Sequence, residues 1–425
     1  MICPTIARRS LLEASTVLAW AMLMSVSGVK GNDGEAKGPM MAYVGTFSLR
    51  DVSSLPSMVD GHWEKGRGIH LFNVDRLTGA LTPTGVVEHG SCPSHLVVNT
   101  EGTRMYSANE TAQMEDGVSG SISSYSINQS NGQLTLLNTV SSGGAGPTYA
   151  SIHPSGRFLF VANYFAGSLA VLPILPDGTL GPASDVKRMA NASNFSRVTD
   201  LWPLGSFSIA EHTGHVPHVQ SIAADASGRF VLTYDSMQAL VWMFDERRGV
   251  LSENPAAEIH GPSLDGPRQL DCHPNGRWLY SLANVNGMVG FYEYDSAKGC
   301  VTSGRKICPL PLGFTNANFC NELMVCPDGR FVYVVNRMRG GIARFAVGEN
   351  GDLTLAGEDW TRGIYPRSVY FDPAGDYLYS CNQKAGNITA FRVDRETGDL
   401  APSDQVTPVV NPSMIVFVEF GKNEK

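Results

Sequence analysis

A histidine, a glutamate and two arginines are the side chains of this sequence best suited to carry chemistry. His218 and Glu322 could each take a proton from water, and His218 is the first choice because an imidazole titrates near neutral pH. Arg268 and Arg367 both follow a proline. The planar guanidinium of arginine binds two oxygens of a carboxylate or phosphate at once. These four residues predict a catalytic site for hydrolysis of a substrate that carries an acidic group.

Each of these residues also has a structural interpretation. His218 could cap a turn before a strand, and Arg268 and Arg367 could form salt bridges between neighbouring sheets. The spacing of His212, His215 and His218 suggests zinc, but the glycine and proline between them exclude a helix face that would aim the three rings together. The cysteines show no metal-ligand spacing either. We therefore expect neither a metal nor a cofactor.

Variants of one sequence unit recur along the chain and must position these side chains. In each unit a strand ends in a Pro-x-Gly type of turn, a second apolar strand follows, and a polar residue closes it. Periods near 40 to 50 residues with four strands each are typical of a β-propeller. One longer interval predicts an insertion at about 181–214. The turn glycines that define the period are Gly102, Gly156, Gly228, Gly276, Gly329 and Gly375.

The two ends of the repeat array complete one another. The segment 43–81 contains three strands of a unit but no first strand, and the segment 412–418 is a first strand with nothing after it. Pairing the two leaves no open sheet edge. The sequence therefore predicts an all-β protein, a seven-bladed β-propeller of four-stranded antiparallel blades, in which the C-terminal strand joins the N-terminal blade. Eight blades is the alternative if the insertion contains strands.

Polar residues follow the second strand of most units. In a propeller these positions lie at one face, where they can converge on the mouth of the central channel. The alternative is that they make local hydrogen bonds in turns. The residues that we expect to bind substrate are Asn163, Tyr164, Asp235, Asn336, Arg337 and Gln383.

The N-terminal segment and the overall charge limit location and partners. Residues 1–28 have twin arginines, Arg8 and Arg9, ahead of an apolar run too short to span a bilayer, which predicts a twin-arginine export signal. Residues 29–40 read as a flexible lead-in, and 41–420 as the propeller domain. The formal net charge of -8 argues against a nucleic-acid partner. We expect a periplasmic or extracellular monomer that has no integral membrane segment after signal removal and binds a small molecule.

The repeat motifs together resemble a known family, the seven-bladed lactonases. The resemblance rests on Tyr43-Val-Gly-Thr at the start, Pro154-Ser-Gly-Arg-Phe-Leu-Phe-Val-Ala-Asn-Tyr, Gly266-Pro-Arg, Pro327-Asp-Gly-Arg and Tyr365-Pro-Arg-Ser, and covers about 41–418. This family includes the propeller-type 6-phosphogluconolactonases and the carboxymuconate-lactonising enzymes of fungi. The resemblance implies a pocket at one mouth of the channel for a carboxylated or phosphorylated sugar-type lactone, without a metal.

The family motifs are kept at some site positions and altered at others. Gln220 replaces the second histidine of the family's Pro-His-x-His-Ser segment, and Gln269 replaces the histidine that follows the first arginine. The family's Asn-Glu pair at the end of the next strand falls at Ala283-Asn284, so its carboxylate is absent from this sequence. The positions that match the family pattern are His218, Arg268, Glu322, Arg337 and Arg367.

These observations favour an exported lactonase that opens an acidic, sugar-type lactone. Two other classes remain open. One is a non-catalytic propeller that binds a sugar acid or a protein partner at the same mouth. The other is a lyase or cycloisomerase acting on an unsaturated dicarboxylate, which needs the same arginines but a proton donor instead of a base.

Overall fold

The structure is a computed structural model that describes residues 38–48, 66–89, 91–111, 120–189, 219–234, 239–255, 267–283, 287–310, 318 and 320–421. In these ranges the regular structure consists of 28 strands and no helix, and hence no helix that could cross a membrane. The strands of the first half are β1 Met40–Thr46, β2 Gly68–Val74, β3 Leu81–Glu88, β4 Pro93–Val98, β5 Arg104–Asn109, β6 Ser121–Ile127, β7 Leu134–Ser141, β8 Pro147–Ile152, β9 Phe158–Asn163, β10 Ser168–Pro173, β11 Asp185–Arg188, β12 Ser221–Ala224, β13 Phe230–Tyr234 and β14 Ala239–Asp245. Those of the second half are β15 Val250–Glu253, β16 Pro267–Cys272, β17 Trp278–Ala283, β18 Val289–Asp295, β19 Cys300–Ile307, β20 Cys320–Val325, β21 Phe331–Asn336, β22 Gly341–Val347, β23 Leu353–Trp360, β24 Pro366–Phe371, β25 Tyr377–Asn382, β26 Asn387–Val393, β27 Leu400–Pro408 and β28 Pro412–Glu419.

These strands form seven antiparallel sheets of four strands each. Blade 1 has the order β28-β1-β2-β3, and blades 2 to 7 follow in chain order, from β4–β7 to β24–β27. β28 pairs with β1 through Tyr43↔Val416 and Met41↔Val418, so the predicted ring closure is confirmed. The innermost strands contact their neighbours all the way round, with β28 touching both β24 and β4. The predicted seven-bladed propeller is confirmed.

Burial explains which segments form the central strands of a blade and which form its outer edge. The second strand of blade 3, Phe158–Asn163, is buried at every position, because both faces of its sheet pack against neighbouring blades. Outermost strands such as Leu353–Trp360 are mostly accessible to solvent. An apolar run predicts a central strand of a blade, whereas a mixed, polar run predicts its outer edge.

A repeated hydrogen bond joins consecutive blades. A tyrosine hydroxyl in the second strand of one blade donates to the carbonyl of the turn glycine in the next blade, at 2.7 Å from Tyr333 to Gly398 and 2.9 Å from Tyr280 to Gly351. Each such bond contributes about 0.5–1.5 kcal/mol. Leu232 and Phe160 stand at the corresponding position of the two blades without this bond. The other tyrosines of this set are Tyr43, Tyr106 and Tyr379.

Two details differ from the sequence prediction. The insertion does not begin at 181, because Asp185–Arg188 is the outer strand of blade 3 and pairs with β10; the stretch 190–218 lies outside the described residues. The first strand begins at Met40, inside the predicted lead-in, and Pro39 accepts a backbone hydrogen bond from Phe420. The cysteines of the described ranges form no disulfide bond with one another.

Candidate active site

A bulge at the start of the innermost strands places one additional side chain at the channel mouth. In β16 the pairing passes from Pro267↔Ala283 to Gln269↔Leu282, which leaves Arg268 as the bulged residue. The same shift in β24 leaves Arg367 unpaired between its neighbours. A bulge bends the strand and re-aims a side chain. The proline that precedes each arginine is therefore part of a sequence motif and also shows where the strand bulges.

Arg268 in blade 5 and Arg367 in blade 7 are linked through blade 6, which lies between them. The Nε of Arg268 donates to the carbonyl of Asn321 at 2.5 Å, and the side-chain amide of Asn321 donates to the carbonyl of Arg367. The guanidinium of Arg367 lies 3.5 Å from Glu110 Oε2 and 4.4 Å above the ring of Phe47. The site thus uses side chains from blades 1, 2, 5, 6 and 7.

The arginines at the mouth are desolvated and repel one another. Burial, reinforced by Arg367, lowers the pKa of Arg268 to about 10. Burial also lowers the pKa of Arg337 to about 9, with Arg268 and Arg367 adding to the effect. Arg268 and Arg337 both remain charged at neutral pH. Like charges that are held together away from water favour binding of an anion.

Glu322 lies beside Arg268 and Arg367 and close to a second carboxyl, Asp271. Desolvation raises its pKa to about 8, Arg268 and Arg367 oppose that rise, and Gln269 donates to Glu322 Oε1 at 2.5 Å. The side chain retains some contact with the channel space although protein surrounds it. Glu322 is therefore largely a neutral acid at pH 7 and becomes a carboxylate above about pH 8.

A second carboxyl, Asp271, lies deeper in the channel. It accepts backbone hydrogen bonds from Val325 and Cys272, both at 2.8 Å, yet burial still raises its pKa to about 7. Tyr149 lies near both Glu322 and Asp271, and burial raises the pKa of its hydroxyl far above the usual value. At neutral pH, burial therefore keeps Glu322 and Tyr149 mostly protonated and Asp271 about half protonated.

His95 and Glu110 belong to this site although neither is among the residues predicted to act on or bind the substrate; Glu110 follows the second strand of blade 2, a position that the repeat marks as informative. The ring of His95 lies 4.2 Å from that of Tyr149, and its Nδ1 accepts the backbone N–H of Ala150 at 3.3 Å. Burial, aided by Arg367, lowers its pKa to about 3, so the ring is neutral and carries its proton on Nε2. His95 is the second residue after a proline in its strand, as Gln269 is in β16, and this repeat position was the available signal.

Arg337 and Lys384 approach the mouth from the turns that follow the second strands of blades 6 and 7. Both cations lie over the ring of Tyr365, at 4.3 Å for the guanidinium carbon of Arg337 and 4.5 Å for Nζ of Lys384. Tyr164, in the corresponding turn of blade 3, lies near Arg268 and Arg337; burial raises the pKa of its hydroxyl to about 12.

The structure does not bring the other polar residues predicted at strand ends to the surface of the mouth. The amide of Asn163 donates to Ser142 O, and that of Asn336 donates to Glu358; both residues are fully buried. Gln383 is buried and donates to the side chain of Asn411. These amides hold loops in place. His218, Asp235 and Asn284 lie outside the described residues, as do the other two histidines of the spacing that suggested zinc.

The chemistry of the mouth follows from this charge balance. The three arginines Arg268, Arg337 and Arg367 lie near Glu110. Arg268 and Arg367 also lie near the largely protonated Glu322. An excess of positive charge at a desolvated site can hold an acidic substrate and stabilise an oxyanion. The fold is a seven-bladed β-propeller, and it gathers a cluster of cationic side chains at the starts of its innermost strands.

Comparison with known proteins identifies the family. Residues 41–417 match the family described as "Lactonase, 7-bladed beta-propeller", and the chain belongs to this family. A 6-phosphogluconolactonase of Bacillus subtilis is 27% identical over 369 residues, which cover 84% of this chain and 97% of that protein. One from Pectobacterium atrosepticum is 30% identical over 281 residues, 66% of this chain and 76% of its own.

A solved structure shows the same fold. The periplasmic gluconolactonase of Pseudomonas aeruginosa superposes with a TM-score of 0.76 and 25% identity, covering 90% of this chain and 100% of that one. The resemblance to a propeller lactonase that the sequence motifs suggested is therefore confirmed. A small-molecule lactone is the substrate class that membership of this family implies.

Proposed function

We propose that this protein is an exported lactonase that opens the ring of an acidic, sugar-type lactone without a metal. The observation that carries the proposal is the convergence of Arg268, Arg337 and Arg367 at one mouth beside the protonatable Glu322. Guanidinium groups in such a setting match the planar oxygens of a carboxylate or phosphate.

The arginines have two tasks in this proposal. Arg337, with Lys384 beside it, holds the acidic group of the substrate, and Arg268 and Arg367 lie next to Glu322, where the lactone carbonyl would be placed. When water adds to this carbonyl, negative charge develops on its oxygen. Donors already fixed in a desolvated site stabilise that charge without reorganising.

Glu322 supplies the proton transfers. As a carboxylate it accepts a proton from the attacking water while the new C–O bond forms, and the carbonyl oxygen becomes the oxyanion. When the tetrahedral intermediate collapses, the ring C–O bond breaks and Glu322 returns the proton to the departing ring oxygen. The products are a carboxylic acid and a hydroxyl group on one open chain.

Two histidines have different roles in this scheme. Neutral His95 cannot act as a base through Nδ1, which already accepts the Ala150 N–H, but its Nε2–H can donate to the oxyanion. His218 remains a proposed alternative base from the sequence motif. Replacing each base in turn decides between Glu322 and His218.

Export and the substrate are proposed together. The twin-arginine segment and the likeness to a periplasmic gluconolactonase support a location outside the cytoplasm, where an unphosphorylated sugar acid or an aromatic-derived lactone is available. The likeness to 6-phosphogluconolactonases supports an acidic sugar lactone more generally. We propose a monomer, because β28 completes blade 1 within the same chain and no strand from a partner is needed to close the ring.

The test is hydrolysis by the purified protein, followed as acid release in weak buffer. D-Glucono-1,5-lactone and its 6-phosphate serve as substrates, and the variants Arg268→Ala, Glu322→Gln and His218→Ala are compared with the parent. We expect Arg268→Ala to lose at least about tenfold in kcat/KM, as removal of an anion-binding or oxyanion donor does. Equal rates in the parent and the variants would instead support a non-catalytic propeller.

A further inference from the structure

One position of the repeat carries a residue that its backbone geometry disfavours. The residue before the proline that starts an innermost strand has a left-handed φ in three blades, 64° at Gly146, 54° at Asn411 and 61° at Tyr365. Glycine adopts this region freely and asparagine tolerates it, whereas a bulky side chain rarely does. A following proline restricts the position further. Tyrosine is thus the anomalous member of the set.

The backbone at this position does not need a tyrosine. The carbonyl of Tyr365 accepts the N–H of Gln383 at 3.0 Å, and the carbonyl of Gly146 accepts the N–H of Tyr164 at 2.8 Å in the same place of blade 3. Glycine therefore supplies the same turn and the same hydrogen bond without strain. What tyrosine adds must lie in its side chain.

The ring of Tyr365 contacts the two cations that approach the mouth from blades 6 and 7. Arg337 and Lys384 lie 4.3 Å and 4.5 Å from its centroid, within the range of a cation–π interaction. The Nε of Arg337 is buried and has no hydrogen-bond acceptor among the described residues, so no carboxylate fixes that atom. An aromatic face can hold a guanidinium in place without neutralising it, whereas a carboxylate partner would cancel the charge that an anionic substrate needs.

We propose that Tyr365 is a positioning residue, whose ring holds Arg337, with Lys384 beside it, at the channel mouth so that the guanidinium charge is available to the anionic group of the substrate. The strained backbone is kept because the ring is needed at this point. This inference rests on the proposed function for the identity of the anion, but the arrangement of the two cations is independent of catalysis.

Three substitutions separate the ring from the backbone and the hydroxyl. Tyr365→Phe keeps the aromatic face, Tyr365→Leu keeps an apolar side chain without that face, and Tyr365→Gly removes the side chain while suiting a φ of 61°. For the 6-phosphate of D-glucono-1,5-lactone, we expect Phe to match the parent within about twofold. Leu and Gly should raise KM about tenfold with kcat nearly unchanged, because the anion is held equally in the ground and transition states.

Two further readouts distinguish positioning from general damage. KM for the unphosphorylated lactone should stay within about twofold in all three variants, since that substrate lacks the phosphate that the cations bind. All three variants should remain folded at the assay temperature, with Tyr365→Gly less stable than the parent, because loss of the buried ring outweighs relief of the strained φ. Equal loss for both lactones, or a Phe variant as weak as Leu, would overturn the proposal.

A binding measurement covers the case in which neither lactone is hydrolysed. The affinity for inorganic phosphate is then obtained from its stabilisation of the folded protein against heat. About tenfold weaker phosphate binding in the Leu and Gly variants but not in Phe would uphold the role of Tyr365 while the lactonase proposal fails. Equal phosphate affinity in all four proteins would overturn the role of Tyr365 itself.

Discussion

Replacing Glu322 with glutamine removes the carboxyl that the channel mouth keeps protonated at neutral pH. Burial raises the pKa of this group from 4.5 to about 8. Because the folded protein holds this proton more tightly than the unfolded chain, the associated stability is fully present below about pH 4.5 and is lost as the pH rises to about 8. At about 1.4 kcal/mol per unit of pKa, the loss is on the order of 4–5 kcal/mol.

Glutamine has the same shape and does not ionise, so the variant should lack this pH-dependent loss. We expect the free energy of unfolding in urea to be similar for the two proteins at pH 5 and higher for Glu322→Gln at pH 9. Asp271, whose pKa is raised to about 7, titrates in both proteins, and its charge adds to the rise in the pKa of Glu322 in the parent. Glu293→Gln, at an exposed position of β18, is the matched control and should change nothing.

The same variant also tests the role of Glu322 in catalysis, where the substitution should lower activity although it raises stability at high pH. If ionised Glu322 accepts the proton of water, kcat/KM of the parent rises with pH and levels off above about pH 8. Glu322→Gln should lose about 100-fold to 10,000-fold and show no such rise. A variant that keeps the activity and the pH profile of the parent, with no gain in stability at pH 9, would refute both the desolvation argument and the assignment of Glu322 as the base.

Three further predictions concern the stability of the fold, the closure of the ring and the cellular location of the protein. Tyr333→Phe leaves the buried carbonyl of Gly398 without its donor, so the free energy of unfolding in urea should fall by about 1–3 kcal/mol; an unchanged midpoint would show that this link between blades is not stabilising. A chain that ends before β28 lacks the innermost strand of blade 1 and should elute as aggregate in size-exclusion chromatography; a folded monomer would contradict ring closure as a source of stability. Replacing Arg8 and Arg9 by lysine should retain the protein in the cytoplasm on cell fractionation, whereas unchanged export would indicate an ordinary secretory signal.

Much of the fold could be predicted from local patterns, and part of the site could be predicted from repeat position. Turn glycines and apolar runs mark the strands because they act within a few residues. Arg268 and Arg367 could be found because both follow a proline at the same point of the repeat, which the structure shows to be a bulge. Asn163 and Asn336 also occupy a repeated position, the end of a second strand, but their amides hydrogen-bond Ser142 O and Glu358. Which partner an amide finds depends on the neighbouring turn, and a local sequence pattern does not reveal it.

By itself the sequence determined the number of blades, the closure of the ring and the set of arginines and glutamate available at one face, because a repeated unit must bury its faces against copies of itself. Only the tertiary structure decided how these groups act on one another. Glu110 and Arg367 are 257 residues apart in the chain and meet at the mouth, and His95 reaches the same place from blade 2. Desolvation and charge coupling depend on such distances through space, so the neutral state of His95, the proton on Glu322 and the cations held by Tyr365 are properties of the closed ring.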